Sequence, residues 1–292
     1  MDNYILKYNQ YINEFNKYLE TKLNSLSDTS PLTIREAMRY AIVEGGKRVR
    51  PVLCLALAEC FGVPNEKVID YALAIECIHA YSLVHDDLPS MDNDDYRRGK
   101  LSTHKKFGEA IGVLAGDALL NFAFEVCLSK DNISVNDIKA MQFIAKSAGY
   151  DGMIAGQVLD LENENSKQPN EETLYKIYYN KTAKLIIAPL MVVSCFVDRK
   201  FSDSINDYGY NLGVLFQIID DILDVKGDVA TIGKTPNKDV KAGKLTSIKL
   251  FGLDNAEELA RSHYEKCLTA LSKLPNNDFL LAFTKKLFER NK

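Results

Sequence analysis

The sequence predicts an all-α protein built as a large bundle of helices, and two observations carry that prediction. Apolar residues recur at spacings of three and four along almost all of the 292 residues, which is the period of a helix that buries one face. Convincing two-residue alternation bounded by turn signals, which would indicate strands, is hard to find anywhere in the chain.

The individual helices follow from where the apolar stripes start and stop, with an error of about 2 to 4 residues at each end. The predicted helical segments cover residues 3–24, 32–44, 50–61, 66–88, 107–129, 135–149, 171–198, 203–225 and 255–270. The longest apolar run, residues 185–197, is interrupted by Pro189 and Ser194 and is shorter than the roughly 20 residues that span a bilayer. It is therefore predicted as a core helix.

The length of the chain predicts its domain organisation, and its charge limits the kinds of ligand that it can bind. The chain can bury a large core and nothing in its middle has the composition of a linker, so residues 1–292 are predicted as a single domain. The formal net charge of -4 argues against a general nucleic-acid binder, which needs an extended basic face. Basic residues occur instead in small local groups that suit single phosphate groups, or are ordinary solvated surface charge.

The cysteines and the amino terminus indicate a reducing compartment. Six cysteines fall singly in apolar segments, without CxxC spacing or paired histidines, so they are predicted to be buried, reduced thiols. Residues 1–15 lack the cationic start and apolar core of a secretory signal. A cytoplasmic location without a membrane anchor is therefore expected.

A first aspartate-rich cluster contains Asp86, Asp87 and Asp92. On a straight helix, six residues would turn Asp92 roughly 240° away from Asp86. Pro89 disfavours helical geometry at Leu88 and removes a backbone donor, so the helix is predicted to end there and let Asp92 turn back toward Asp86. The two carboxylates are then expected to lie on the same side.

A second aspartate cluster lies near the end of a later predicted helix, where Gln217, Asp220 and Asp224 share one face. Gly209 and Gly213 continue that face toward the start of the helix. Such small residues leave room for a ligand or permit close helix packing, and their spacing alone leaves both interpretations open.

Both clusters stand in otherwise apolar sequence, where unpaired carboxylates are costly to bury and repel one another. Mg²⁺ takes oxygen ligands and commonly bridges protein carboxylates to substrate phosphates, so a shared magnesium and diphosphate site is predicted. The alternative is that each cluster is a solvated helix end or a set of ion pairs.

In order and spacing, these residues resemble the short-chain trans-prenyl diphosphate synthases, and within that family most closely the bacterial farnesyl type. Residues 76–100 are similar to the family's first aspartate-rich motif and residues 216–224 to its second. Further matches are GGKRVRP at 45–51, NKTA at 180–183, GK at 233–234, KD at 238–239 and GKLT at 243–246. The resemblance covers nearly the whole chain and implies a helical bundle around a deep central cavity, usually in homodimers.

The resemblance implies Mg²⁺-dependent elongation of isoprenoid diphosphates. In the family, an allylic diphosphate loses inorganic diphosphate and the double bond of isopentenyl diphosphate attacks the resulting carbocation. Loss of a proton to the departing diphosphate completes the step, so no general base is needed. About three Mg²⁺ ions act there as Lewis acids. The expected product is farnesyl diphosphate, made from dimethylallyl and geranyl diphosphate.

The resemblance also assigns roles residue by residue, first to the metal ions and then to the two substrates. The implied magnesium ligands are Asp86, Asp92 and Asp220. The implied contacts of isopentenyl diphosphate are Lys47, Arg50, His79 and Arg98. Those of the allylic diphosphate are Arg97, Lys181, Thr182, Gln217 and Lys234, of which Lys181 and Thr182 also steady the carbocation. Outer partners of the metal site are Asp87, Asp221, Asp224, Gln157 and Asp160.

Without the resemblance, His79 is interpreted as an ordinary core histidine on the Asp86 face of its helix.

The predicted product length depends on Tyr81, because an aromatic residue at this place blocks growth beyond fifteen carbons in the family. Helical geometry alone turns Tyr81 roughly 140° from Asp86, whereas Ser82 aligns with Asp86 better. Tyr81 has a second interpretation as a packing aromatic.

Alternative functions differ in specific features of the sequence. The expanded first cluster that contains Pro89 also occurs in plant-type geranylgeranyl synthases, which leaves a twenty-carbon product open. A terpene cyclase lacks a second aspartate cluster, and a catalytically silent subunit would have a broken one. A di-metal carboxylate bundle needs two Glu-x-x-His pairs, and only Glu76 and His79 form one. Residues 227–246, rich in Gly and Lys, are predicted as a flap over bound diphosphates, or as an exposed loop.

Overall fold

The computed structural model describes residues 3–43, 45–226 and 243–291, and it confirms the all-α prediction. The α-helices are α1 (Asn3–Asn24), α2 (Leu32–Val43), α3 (Val49–Cys60), α4 (Ile69–Asp86), α5 (Thr103–Phe107), α6 (Glu109–Leu128), α7 (Val135–Ala148), α8 (Met153–Glu162), α9 (Glu171–Ile177), α10 (Lys184–Ser194), α11 (Ser202–Lys226), α12 (Ser247–Phe251), α13 (Leu253–Leu271) and α14 (Asp278–Phe288). Short 3₁₀ turns cover Asn65–Lys67, Arg199–Phe201 and Glu289–Asn291.

Two features depart from the sequence prediction. The segment 171–198, predicted as one helix, consists of α9, a π-helix at Tyr178–Ala183 and α10. A short antiparallel hairpin, β1 (Tyr96–Arg97) and β2 (Lys100–Leu101), precedes α5. The helices that the prediction missed are 11 residues long or shorter, which is at or below the window over which a helical period can be read.

Contacts within the chain define two compact units, which are described separately. The first unit contains residues 1–55 and 64–135, and the second contains residues 56–63 and 136–292. The organisation of residues 1–292 as a single domain stays a prediction.

In the first unit, α4 is the central helix and packs most extensively against α6. Leu73, Ile75 and Ile78 of α4 are fully buried, and the helix is apolar on every side, as expected for one that is surrounded by others. α2 packs on α4 and α6, and α1 packs on α2 and α4. The end of α4 that carries Asp86 is thereby held by a dense core.

In the second unit, α11 is the central helix and contacts α10, α13 and the π-helix. Every residue of α10 from Leu185 to Ser194 is buried, so the predicted core helix is confirmed. A Cβ on Gly209 would lie 3.1 Å from side-chain atoms of both Ile187 and Leu190, so this glycine serves close helix packing. The interpretation that Gly209 leaves room for a ligand is wrong.

The sequence prediction of unpaired thiols is confirmed, because all six cysteines are free and five of them are buried. Burial raises their pKa, for example that of Cys195 to about 11 and that of Cys127 to about 12. One helix in the described residues, α6, is long and apolar enough to cross a membrane by length and composition. Core helices of soluble proteins meet the same criterion, and α6 buries Leu119, Phe122 and Ala123.

Candidate active site

The first aspartate cluster turns back on itself, as predicted from Pro89. α4 ends at Asp86, and the backbone N–H of Asp92 donates to the carbonyl of Asp86 at 2.8 Å. The N–H of Asp94 donates in the same way to the carbonyl of Asp87, at 3.1 Å. The side chains of Asp86 and Asp92 stay partly exposed, so both carboxylates remain accessible to a ligand.

Asp87 points into the protein, where it orients Arg97. Its side chain is buried and accepts hydrogen bonds from Nε of Arg97 at 3.0 Å and from Nη2 of the same guanidinium. Asp94 lies 3.6 Å from that Nη2. Burial raises the pKa of Asp87, against the effect of Arg97. Asp87 therefore orients Arg97. This role is compatible with the prediction that Asp87 is an outer partner of the metal site and not a direct ligand.

A buried ion pair anchors the segment GGKRVRP. Nη1 of Arg48 donates to Oε1 of Glu76 at 2.9 Å, and both side chains are almost wholly buried. The remaining nitrogens of Arg48 donate to Oδ1 of Asn16 and to the carbonyl of Val43, each at 3.1 Å. Glu76 is thus the counter-charge of Arg48, which argues against a role for it as a di-metal ligand with His79.

Two glycines make room for Arg98. Gly45 and Gly46 have φ angles of 85° and 103°, and a Cβ on Gly46 would lie 2.7 Å from Nη1 of Arg98. The same Nη1 donates to the carbonyl of Gly45 at 2.8 Å. Lys47 follows this turn with its side chain exposed, and its carbonyl accepts from the hydroxyl of Tyr8 at 2.5 Å.

Arg50, Arg98 and His79 form a crowded cationic group, called here the arginine cradle. Burial lowers the pKa of Arg50 to about 10, Glu76 opposes that shift and Arg98 adds to it. Within the described part of the chain, Nε of Arg50 is buried without a hydrogen-bond partner. Burial and the surrounding arginines hold the pKa of His79 well below its usual value, so its imidazole is neutral. An unpartnered donor beside crowded cations suits an anion.

The residues predicted to limit product length lie on α4, just before Asp86. Tyr81 is buried, and its ring meets that of His85 edge-on at 5.8 Å. Its hydroxyl is buried and lacks a hydrogen-bond partner among the described residues. Ser82 donates to the carbonyl of His79 at 2.9 Å and is partly exposed.

In the second cluster the three carboxylates have different surroundings. Asp220 is exposed, whereas Asp221 and Asp224 are buried. Gln217 donates from Nε2 to Oδ1 of Asp221 at 3.1 Å and accepts from the hydroxyl of Thr182 at 2.7 Å. Burial raises the pKa of Asp221 to about 7, against the hydrogen bonds that it accepts. Asp220 is the member of the cluster that is open to a metal ion.

Lys181 and Thr182 lie in the π-helix, a rare geometry that is common at functional sites. Two glycines hold this segment closely. A Cβ on Gly156 of α8 would overlap the backbone of Lys181, and one on Gly213 of α11 would lie 2.5 Å from Cα of Ala183. Gly213, like Gly209, therefore serves close packing rather than ligand space.

Asp160 of α8 pairs with two lysines. Nζ of Lys181 lies 2.5 Å and Nζ of Lys244 lies 3.7 Å from Oδ2 of Asp160, which is itself buried. Gln157, one turn earlier on α8, is partly exposed. Lys234, like most of the predicted flap, lies outside the described residues.

Sequence reasoning missed several residues that organise these groups. Arg48 belonged to a matched motif but received no role, and its partner Glu76 was considered only as a metal ligand. Lys244, Tyr178 and Ser247 also received none. Each acts through a partner at least 26 positions away in the sequence, and spacing along a helix carries no signal for such a partner.

The donor set fits magnesium. Asp86, Asp92 and Asp220 offer only oxygen ligands and are at least partly exposed. Within the described ranges, no three histidine, cysteine or carboxylate side chains converge into a closed metal cage. Exposed carboxylates of this kind, in either unit, suit Mg²⁺, which binds through one or two carboxylates and completes its shell with waters and substrate phosphates.

Each aspartate cluster lies near Lys or Arg side chains that suit phosphate groups, and the fold is all-α. Together these features define the class of protein as a prenyltransferase that acts on diphosphates. The chain belongs to the polyprenyl synthetase family, whose model matches residues 31–277. The protein is accordingly an enzyme of trans-prenyl chain elongation.

Relatives and solved structures support that membership. Farnesyl diphosphate synthase of Haemophilus influenzae is 44% identical over 267 residues, covering 89% of each chain. Chloroplastic geranylgeranyl pyrophosphate synthase of Catharanthus roseus is 42% identical over 260 residues, covering 85% of this chain and 72% of its own. The geranyltransferase of Helicobacter pylori, solved with magnesium and isoprenyl diphosphate, is 31% identical with a TM-score of 0.81, covering 99% of this chain and 97% of its own.

Proposed function

We propose that the protein is a farnesyl diphosphate synthase, which condenses isopentenyl diphosphate first with dimethylallyl and then with geranyl diphosphate. The observation that carries the fifteen-carbon product is Tyr81, a bulky side chain only 6% exposed on the helix that leads to Asp86. A buried aromatic ring there occupies volume that a longer prenyl chain needs. The similarity to the Haemophilus enzyme supports the same product.

The arginine cradle is proposed to bind the diphosphate of isopentenyl diphosphate, together with Lys47. Guanidinium groups bind phosphate oxygens through paired hydrogen bonds, and the buried Nε of Arg50 has such a bond to give. The imidazole of His79, neutral in the protein without ligand, adds an N–H donor, and the charge of a bound diphosphate favours its protonation. The cradle thus holds this substrate by its phosphates alone and leaves the carbon skeleton free to react.

The allylic diphosphate is proposed to lie against Arg97, Lys181, Thr182, Gln217 and Lys234. Asp86, Asp92 and Asp220 would hold about three Mg²⁺ ions, which supply Lewis-acid stabilisation of the departing diphosphate. Lys181 and Thr182 lie in a π-helix, where backbone hydrogen bonds are displaced from the usual i−4 pattern. A carbonyl or hydroxyl oxygen there is available to steady a carbocation, while the departing diphosphate accepts the final proton.

The protein is further proposed to be a homodimer located in the cytoplasm. The outer side of α6 exposes Val113, Leu114 and Leu128, with 42%, 53% and 58% of each residue accessible to solvent. Apolar exposure of this kind on a long helix suits burial against a second copy of the chain. Light scattering coupled to size exclusion tests this, and a monomer that is fully active would contradict it.

The twenty-carbon product is the second candidate, favoured by the similarity to the Catharanthus enzyme. The test is to incubate the purified protein with Mg²⁺, labelled isopentenyl diphosphate and dimethylallyl diphosphate, and to resolve the dephosphorylated products by length. We expect a dominant C15 alcohol. Tyr81→Ala should shift products to C20 or longer, whereas Tyr81→Phe, which keeps the ring, should not. A C20 product from the unaltered protein would favour the second candidate, and no elongation would favour a silent partner subunit.

A further inference from the structure

The carboxylate of Asp221 joins three segments of the second unit. It accepts hydrogen bonds from the hydroxyl of Tyr178, the first residue of the π-helix, and from the side chain of Gln217. It also accepts from the backbone N–H of Ser247 at 2.8 Å and from the hydroxyl of Ser247 at 2.9 Å. Ser247 begins α12, so Asp221 ties the π-helix and the start of α12 to α11.

Hydrogen-bond donors of the protein itself occupy the acceptor positions of the Asp221 carboxylate. A carboxylate offers about four acceptor positions, and here four donors from three residues approach it. Tyr178, Asp221 and Ser247 are all buried, with at most 2% of each accessible. Unlike the exposed Asp220, Asp221 therefore acts as a junction within the protein.

Two of the segments at this junction carry lysines that contact one carboxylate, that of Asp160. The π-helix carries Lys181 and Thr182, three and four positions after Tyr178. Lys244 precedes Ser247 by three positions and lies 3.7 Å from Asp160, the same carboxylate that Lys181 contacts. A shift at the junction would therefore move both lysines relative to the second aspartate cluster.

We propose that Tyr178 and Ser247, acting through Asp221, are positioning residues for the allylic diphosphate. They fix where the π-helix and the start of α12 meet α11, and so set the spacing of Lys181 and Lys244 beside the second aspartate cluster. This inference rests on the proposed function, because it concerns the same site. Neither hydroxyl touches substrate in this account, so both act through the groups they hold.

A hydrogen bond from a hydroxyl to a buried carboxylate is worth more than one between neutral groups. The hydroxyl of Tyr178 also accepts from the backbone N–H of Ser247 at 2.7 Å, so removing either hydroxyl weakens the whole junction, while the remaining donors still bind Asp221. The fold should persist while the positions of the lysines become less defined. That combination predicts a kinetic change larger than the change in stability.

The test compares the variants Tyr178→Phe and Ser247→Ala by steady-state kinetics with each substrate varied in turn. We expect KM for geranyl diphosphate to rise about tenfold, with KM for isopentenyl diphosphate changed less than about twofold. The double variant should lose little more than either single variant, because both hydroxyls act through one carboxylate.

Tyr208→Phe is the matched control. Tyr208 lies fully buried on α11, and its hydroxyl is 3.1 Å from that of Thr284, away from the site groups. It should lose no more thermal stability than Tyr178→Phe and keep both KM values. If Tyr178→Phe and Ser247→Ala behave like this control, or raise both KM values equally, the positioning role is overturned. Failure of the unaltered protein to elongate would instead overturn the proposed function, and this inference with it.

Discussion

In the first unit, burial together with repulsion from neighbouring arginines lowers the pKa of Arg50, of Arg98 and of His79. In the second unit, Lys181 and Lys244 share the carboxylate of Asp160. The two arginines of the cradle repel nearby cations, whereas the two lysines of the second region share a carboxylate that offsets part of their charge. We therefore propose that the cradle binds a diphosphate by itself, while the second region needs added cations to bind one.

The largest expected effect is a loss of folding stability on breaking the Arg48–Glu76 ion pair, which anchors the segment that carries Arg50. Glu76→Gln leaves a buried guanidinium without its counter-charge, so the free energy of unfolding should fall by about 3 to 5 kcal/mol. Chemical denaturation measures this. Glu172→Gln is the control, because Glu172 pairs with Lys176 on an exposed helix face and should show no measurable change. A loss no greater than that of the control would mean that the pair does not anchor the segment.

The next effect separates binding from stability. Arg50→Met should raise KM for isopentenyl diphosphate about a hundredfold, since a guanidinium contact to phosphate is lost, and leave KM for the allylic substrate nearly unchanged. Stability should change little, because the lost attraction to Glu76 is offset by relief of the repulsion with Arg98 and by removal of an unpartnered buried Nε.

Arg35→Met is the control for Arg50→Met, since Nε of Arg35 is also buried without a partner among the described residues. It should leave both KM values unchanged. A marked loss of stability in Arg50→Met, with an unchanged KM for isopentenyl diphosphate, would contradict the cradle.

A smaller effect concerns pH. The pKa of His79 is depressed in the folded protein, so the unfolded state binds the proton more readily and stability should fall as the pH drops below about 6.5. Bound diphosphate favours the imidazolium, so isopentenyl diphosphate should be bound with proton uptake near pH 6. Calorimetry in two buffers of different ionisation enthalpy measures that uptake.

Two variants distinguish His79 from a buried histidine elsewhere. His79→Gln should abolish the proton uptake. His263→Gln should retain it, although burial also lowers the pKa of His263, to about 4. Equal uptake in His79→Gln and the unaltered protein would remove His79 from the diphosphate site.

Local sequence rules predicted much of the molecule. The all-α fold followed from the helical period, and the return of Asp92 followed from the effect of Pro89 on the end of α4. The resemblance supplied the family, which is confirmed, and the site residues, which stay a prediction. The separate surroundings of Asp220 and Asp221 were not predicted, because burial depends on which helices pack around α11 rather than on its own spacing.

The pairings that hold the site also escaped prediction. Arg48 and Glu76 are 28 residues apart, and Tyr178 and Asp221 are 43 residues apart. Each side chain has many polar candidates at such distances, and a single sequence does not rank them. The close approach of Gly156 and Gly213 to the π-helix also joins residues that lie far apart in the sequence, and helical spacing does not indicate it.

The most direct test of the comparison is the metal dependence of binding for each substrate alone. Calorimetric titrations with isopentenyl diphosphate and with geranyl diphosphate, each with Mg²⁺ and with a chelator, give four dissociation constants. The chelator should raise the dissociation constant of isopentenyl diphosphate less than about threefold. It should raise that of geranyl diphosphate about a hundredfold or more. An equal loss for both substrates would contradict the account, because the cradle would then need metal as much as the second region does.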